Sequence, residues 1–202
     1  GIAITLLAFI FMFKIGEAFL GRMSVVFYKE VGFTNEQIGE YTKMLGWIAT
    51  VVFTLIGSAI NVRFGVLRGL MVGGIAMAGS NLMFALIAEL GPIEWLFAAT
   101  IIVDNFTTAF STVAFVAFLT ALTGRAFSAT QYALLASLGN LGRTTLASFS
   151  GTMVDGLGGN WTMFFIITTL MVIPSLVMLW LLRDKLDAAQ ERTQAHNEAN
   201  EK

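Results

Sequence analysis

The sequence predicts an all-α polytopic membrane protein whose six transmembrane helices form a 3+3 inverted repeat. Three observations carry this expectation. The 202 residues are 56% hydrophobic and 12% charged, and 9 of the 25 charged residues fall after Leu182. Soluble domains carry about a quarter charged residues, so a body this poor in charge is suited to a bilayer. Six apolar runs reach the roughly 20 residues that a helix needs to cross hydrocarbon. A short pattern also recurs at a fixed offset between the two halves of the chain.

The spans fall near residues 2–28, 36–61, 67–88, 94–123, 129–154 and 161–182. Thr34 with Gln37, and Ser128 with Gln131, fit the capping pattern in which a hydroxyl residue and a Gln three positions on satisfy free amides at a helix start. Gly91-Pro92 marks the turn before the fourth span. Pro174, in the middle of the sixth span, removes a helical hydrogen bond and is expected to bend the helix. Residues 183–202 are polar and rich in both charges, as in a solvated, partly helical cytoplasmic tail.

Loop charges set the orientation, because Lys and Arg stay on the cytoplasmic side. Arg63, Arg68, Arg125, Arg183 and Lys185 lie on one side, and Lys29 stands on the other beside Glu30, Glu36, Glu89, Glu94 and Asp155. Both ends of the sequence are therefore expected in the cytoplasm. Net charge is -1 with no basic patch, so nucleic acid is not an expected partner. Without cysteine there are no disulfides, thiolate metal sites or iron–sulfur clusters. The single histidine, His196, lies in the tail away from any cluster of ligands, so no metal is expected. The sequence begins with Gly1 and shows no charged segment before the first apolar run, which reads as a cut end rather than a signal peptide.

The recurring pattern is GSAINVRFG (57–65) against GTMVDGLGG (151–159), which share G-[ST]-x-x-[ND]-x-x-x-G at an offset of 94 residues. Each copy closes the second helix of a three-helix group, and the charge count puts the two on opposite sides. Such a 3+3 inverted repeat is the unit nested in each six-helix half of major facilitator transporters. Gly65, Gly69 and Gly73 form overlapping G-x-x-x-G steps that permit close helix approach.

Charged residues within the spans need a reason, since hydrocarbon penalises each one. Lys14, Glu17 and Arg143 fall near the middle of their spans and Asp104 about a third of the way in; together they sum to zero charge. Lys14 and Glu17 are three residues apart and share a face. Asp104, Thr108 and Ser111 follow one stripe of the fourth span, with Asn105 and Thr112 beside it. Tyr132, Ala136, Asn140, Arg143 and Ala147 follow one stripe of the fifth. These stripes should turn toward a shared cavity or toward protein. Glu17 and Asp104, the only deep carboxylates, are the candidate proton-exchanging groups. Lys43 is near enough to a surface to snorkel, and Asn81 is placed to bond across helices.

Specific strings then resemble a family. FKIGEAF (13–19), GFTNEQIGEYTKMLGWIAT (32–50), Ser80-Asn81 and DNFTTAFSTVAFVAFLTALTGRAFSATQYALLASLGNLGR (104–143) resemble the AmpG muropeptide permeases, and their order matches the C-terminal half of that family. The resemblance implies half of a twelve-helix major facilitator fold in the bacterial inner membrane. It implies proton symport of N-acetylglucosaminyl-anhydro-N-acetylmuramyl peptides, products of peptidoglycan turnover and recycling, into the cytoplasm. No cofactor is implied beyond the proton gradient. The implied partners are the sugar-peptide substrate, the lipid bilayer and an N-terminal six-helix half. Lys14, Glu17, Asp104, Asn105, Gln131 and Arg143 correspond to polar motif positions of the family; with Tyr132 and Asn140 they form the candidate substrate and proton pathway. The loop NVRFGVLR (61–68) keeps the Arg-x-Gly core of the facilitator loop motif, but Asn61 and Val62 stand where its acid is expected.

A fainter likeness to acetyl-CoA transporters keeps another bulky solute open, and a complete six-helix channel or assembly subunit is a further alternative. An intramembrane enzyme is not expected, since no His or Cys lies in any span and no catalytic residues are indicated.

Overall fold

The computed structural model describes residues 2–122 and 128–199, all in helices and the turns between them. Arg125 and the Ser128 side chain lie outside the described residues, and with them the capping pair joining Ser128 to Gln131. The helices are α1 (Ile2–Val31), α2 (Asn35–Gly39), a π-helical segment (Glu40–Leu45), α3 (Gly46–Phe64), α4 (Val66–Leu90), α5 (Glu94–Leu122), α6 (Ser128–Ala147), α7 (Ser150–Gly156) and α8 (Trp161–Ala199).

Helix ends follow local chemistry. The Thr34 hydroxyl accepts from the Gln37 amide while the Gln37 side chain accepts from the Thr34 amide, so the expected capping box is formed. Helix α3 stops at Gly65 (φ +90°) and α4 at Gly91 (φ +92°), conformations that a side chain would strain. Pro92 then prevents α4 from resuming. The two copies of the repeated pattern agree here: Gly65 and Gly159 both take positive φ just beyond a helix. Their first glycines differ, since Gly57 packs against Phe110 and Gly151 meets nothing.

Two departures from the expected spans have physical causes, and the last span continues without a break. The span expected at 129–154 breaks into α6 and α7 at Ser148 and Phe149. There the Ser148 and Ser150 hydroxyls donate back to the carbonyls of Thr145 and Ala147, and Phe149 N–H tightens onto Leu146 O at 3.0 Å. Serine hydroxyls compete for the carbonyls that a continuous helix needs. The second span contains a π-helical segment with Thr42 donating to Ile38 O. An added residue in a turn re-phases the helix beyond it by about 100°, and α3 then meets α5 through Gly46 and Thr50. Helix α8 runs through Pro174 and on to Ala199, so no structural break separates the expected tail from the last span.

Helices Asn35–Phe64, Val66–Leu90, Glu94–Thr120 and Trp161–Lys185 are long and apolar enough to cross a membrane. Helix α4 packs along both α5 and α8, α3 lies on α5, and α1 lies on α6 and α8. Among the described residues, two apolar clusters hold the bundle. One, at the end carrying the 91–93 turn, includes Phe27, Tyr28, Phe84, Phe97, Trp161 and Phe165. The other, toward Gly65, includes Phe9, Phe13, Leu70, Phe115, Phe118 and Leu179. Of the three glycines expected to allow close approach, two do so along α4: a Cβ on Gly69 would collide with the Asn61 side chain and one on Gly73 with Ser111, whereas a Cβ on Gly65, just before the helix, would meet nothing.

Candidate functional site

Between the two apolar clusters, α1, α5 and α6 bring their charges together. Lys14 Nζ donates to Glu17 Oε2 at 2.8 Å, the i,i+3 pair that their spacing requires. The ammonium also lies 4.6 Å from the centre of the Phe115 ring on α5, a cation–π contact strengthened by desolvation. The other oxygen of the same carboxylate, Oε1, faces Arg143 Nη1 of α6 at 3.9 Å. That distance is a charge contact and too long for a hydrogen bond. Burial is unequal: the side chains of Lys14 and Glu17 are 10% and 16% exposed, and that of Arg143 is 53% exposed. Glu17 is thus shared between a buried cation and an open one.

Asp104 is held separately. Its Oδ1 accepts from Ser80 Oγ of α4 at 3.5 Å. Its carboxylate lies within coulombic range of that of Glu17, and the buried, uncharged Tyr28 of α1 is in the same region. Next to it, Asn105 donates from Nδ2 to Ile101 O at 2.7 Å and accepts on Oδ1 from Thr50 of α3 at 2.9 Å. Gly46 gives Asn105 its space, because a Cβ there would already touch the amide.

The expected residues divide into groups. Lys14, Glu17 and Arg143 converge, and Asp104 with Asn105 forms a neighbouring group on α5. Tyr132 is half-buried against the Phe9 and Phe13 cluster, and Asn140 is exposed one turn before Arg143. Gln131 is exposed near the start of α6. The expected stripes do not remain whole. On α5, Ser111 is buried while Thr108 and Thr112 are exposed. On α6, Ala147 is buried while Asn140 and Arg143 are exposed, because the face set by Gly139 and Gly142 is the one that packs. Gly142 lies so close to Phe11 of α1 that a Cβ would collide with the ring. Asn81 is fully buried, but neither of its amide atoms has a hydrogen-bond partner, so the cross-helix bond expected for it is not formed. Lys43 is exposed, as expected.

Sequence reading gave no site role to Thr50, Phe115 or Tyr28, and took up Ser80 only within the Ser80-Asn81 string. The signal for Thr50 was present in Thr50, Thr54 and Ser58, spaced four apart along one face of α3. Phe115 and Tyr28 carried no such signal, since an aromatic in a span usually packs.

Comparison with protein families matches the Major Facilitator Superfamily over residues 2–200. The chain is 33% identical over 185 residues to a transporter designated AmpG 4 in Rickettsia conorii, covering 92% of this chain and 44% of that protein. It is 31% identical over 183 residues to the anhydromuropeptide permease of Escherichia coli K12, covering 90% of this chain and 37% of the permease. A Rickettsia prowazekii transporter designated AmpG 1 is 29% identical over 184 residues, 91% of this chain and 41% of that protein. The chain thus spans less than half the length of these relatives. With its membrane-length helices and a match along nearly all of its sequence, the chain is an all-α, multi-pass membrane protein that belongs to the Major Facilitator Superfamily of transporters, and within it resembles the AmpG permeases.

Proposed function

We propose that this chain forms one wall of a proton-coupled secondary transporter that brings anhydro-muropeptides into the bacterial cytoplasm across the inner membrane. The observation that carries the reading is the shared carboxylate: Glu17 lies between buried Lys14 and half-exposed Arg143, with Asp104 within electrostatic reach. Buried ions that served packing alone would be expected to pair fully and dryly. Here one cation stays open while the carboxylate behind it is mostly buried.

The substrate class rests on the 31% identity to a protein named anhydromuropeptide permease. On this reading α1 and the α6–α7 pair also cross the bilayer, giving six spans in a 3+3 arrangement with both ends cytoplasmic. A second six-helix bundle faces the Arg143 side, a size supported by the share of the relatives that this chain spans. Asn105, Gln131, Tyr132 and Asn140 line the path with the four ions.

The test is uptake of a labelled anhydro-muropeptide by vesicles containing the full-length protein, with and without a proton gradient, and with acetyl-CoA as competitor. Glu17→Gln and Asp104→Asn are expected to abolish gradient-driven uptake at unchanged expression. Wild-type uptake in both variants would remove these carboxylates from the mechanism, and displacement by acetyl-CoA alone would reassign the solute.

A further inference from the structure

Of the four tryptophans, three lie near the ends of membrane-length helices and one does not. Trp95, Trp161 and Trp180 sit within a few residues of an end, the level at which tryptophan meets headgroups. Trp47 belongs to the helix Asn35–Phe64 and lies about 18 Å from one end and about 25 Å from the other. A hydrocarbon core of about 30 Å places it close to mid-depth. It is 70% exposed there. An indole N–H at that depth needs an acceptor, and acyl chains supply none.

Helix α3 is polar on one flank only. At about 100° per residue, Trp47, Thr50, Thr54 and Ser58 fall within about 80° of one another. The exposed Ile48, Val52 and Leu55 occupy the other flank, which suits lipid. The flank with Trp47 adjoins α5, where Thr50 donates to Asn105 Oδ1 at 2.9 Å and Thr108 is exposed one turn beyond Asn105. Residues 46–62 of α3 and 105–120 of α5 contain no ionisable side chain. The charge contacts of the site are instead on α1 and α6.

The hydroxyl protons of this flank are engaged: Thr50, Thr54 and Ser58 donate to the carbonyls of Gly46, Thr50 and Thr54 at 2.8, 2.7 and 2.9 Å. Their oxygens keep lone pairs for a further donor. Acceptors without charge, beside an aromatic face, suit hydroxyl and amide hydrogens and the C–H face of a ring, and offer a carboxylate no cation. A pyranose carrying an acetamido group has both features.

We propose, on the transport reading above, that Trp47 is a specificity-determining residue whose indole face receives the C–H face of a pyranose ring of the solute, while Thr50, Thr54 and Asn105 accept that ring's hydroxyl and acetamido hydrogens. The neutral sugar part of the solute then lies against α3 and α5, apart from the ions of α1 and α6. Gly46 preserves the arrangement, because a Cβ there would press on the Asn105 amide.

The test uses the full-length protein in nanodiscs. N-bromosuccinimide oxidation of Trp47 is followed by peptide mass spectrometry, with Trp95, equally exposed but at a helix end, as the internal control. The probes are the peptide-free disaccharide N-acetylglucosaminyl-anhydro-N-acetylmuramic acid and tetra-alanine, a peptide without sugar. The disaccharide is expected to protect Trp47 and leave Trp95 reactive, and tetra-alanine to protect neither. Equal oxidation of Trp47 with and without the disaccharide, equal protection by tetra-alanine, or a Trp47 left unreactive because lipid or a neighbouring bundle covers it, overturns the proposal. This arm needs no variant, so it decides even where a substitution does not fold. In Trp47→Leu the disaccharide's potency as an inhibitor of muropeptide import into vesicles should fall about three- to tenfold, the scale of one aromatic contact. Trp47→Phe, which keeps a ring, should lose less. Equal losses in the two variants would mark an apolar packing role and overturn the assignment. Import with an unprotected Trp47 defeats the sugar site alone, while a protected Trp47 without import defeats the transport assignment alone.

Discussion

Arg143 Nη1 of α6 stands 3.9 Å from Glu17 Oε1 of α1, while Lys14 Nζ holds the other oxygen of that carboxylate at 2.8 Å. One acid thus has two unequal cations, and their contributions to stability should differ. Replacing Arg143 by Gln should cost less than about 1 kcal/mol, because an exposed charge contact is screened by solvent. Replacing Lys14 by Met should cost about 1.5–3 kcal/mol, the value of a hydrogen bond to a charged group. Thermal unfolding in nanodiscs gives the comparison, and equal losses would contradict the asymmetry.

Gly69 and Asn61 provide a second test. A methyl on Gly69 collides with the Asn61 side chain where α3 and α4 meet. Gly69→Ala should destabilise by about 1–3 kcal/mol through overpacking. Asn61→Ala in the same chain should recover most of that loss, since it removes the colliding amide and two buried atoms without partners. A double variant no more stable than Gly69→Ala would show that the crowding lies elsewhere.

The Trp161 indole N–H donates to the Glu30 carboxylate, tying the start of α8 to the end of α1. Trp161→Phe keeps the ring contacts with Phe27 and Phe165 but removes the donor. A loss of about 1.5–3 kcal/mol is expected, with faster amide hydrogen exchange at the last turn of α1. Unchanged exchange there would mean that the aromatic cluster alone holds the two ends.

At the start of α2, Thr34→Ala breaks the capping box and should cost about 1 kcal/mol. Thr34→Ser, which keeps the hydroxyl, should restore it. Exchange of the Gln37 amide is the local readout, because that N–H is the one bonded to the threonine.

Where a feature depends on neighbours three or four residues away, the linear order was sufficient. The capping box at Thr34 and Gln37, the Lys14–Glu17 pair, the stop at Gly91-Pro92 and the close approach at Gly69 and Gly73 all appear as expected. Features that depend on the phase of a long helix were less legible. The expected α5 stripe ran through Thr108, yet Ser111 and Thr107 face inward and Thr108 faces out. The choice follows from α4, whose Gly73 allows Ser111 close contact.

By itself the sequence determined the environment, the helical class and the presence of ions inside the apolar spans, because hydrophobicity, turn residues and charge are properties of each position. Only the tertiary structure decided which ions meet. It placed Arg143 against Glu17, Phe115 over Lys14 and Ser80 on Asp104, across helices distant in the chain. The physical reason is rotational: a π-helical segment in the second span and the glycine contacts of α4 and α6 set how each helix is turned, and that turn decides whether a polar side chain faces a partner or the open surface.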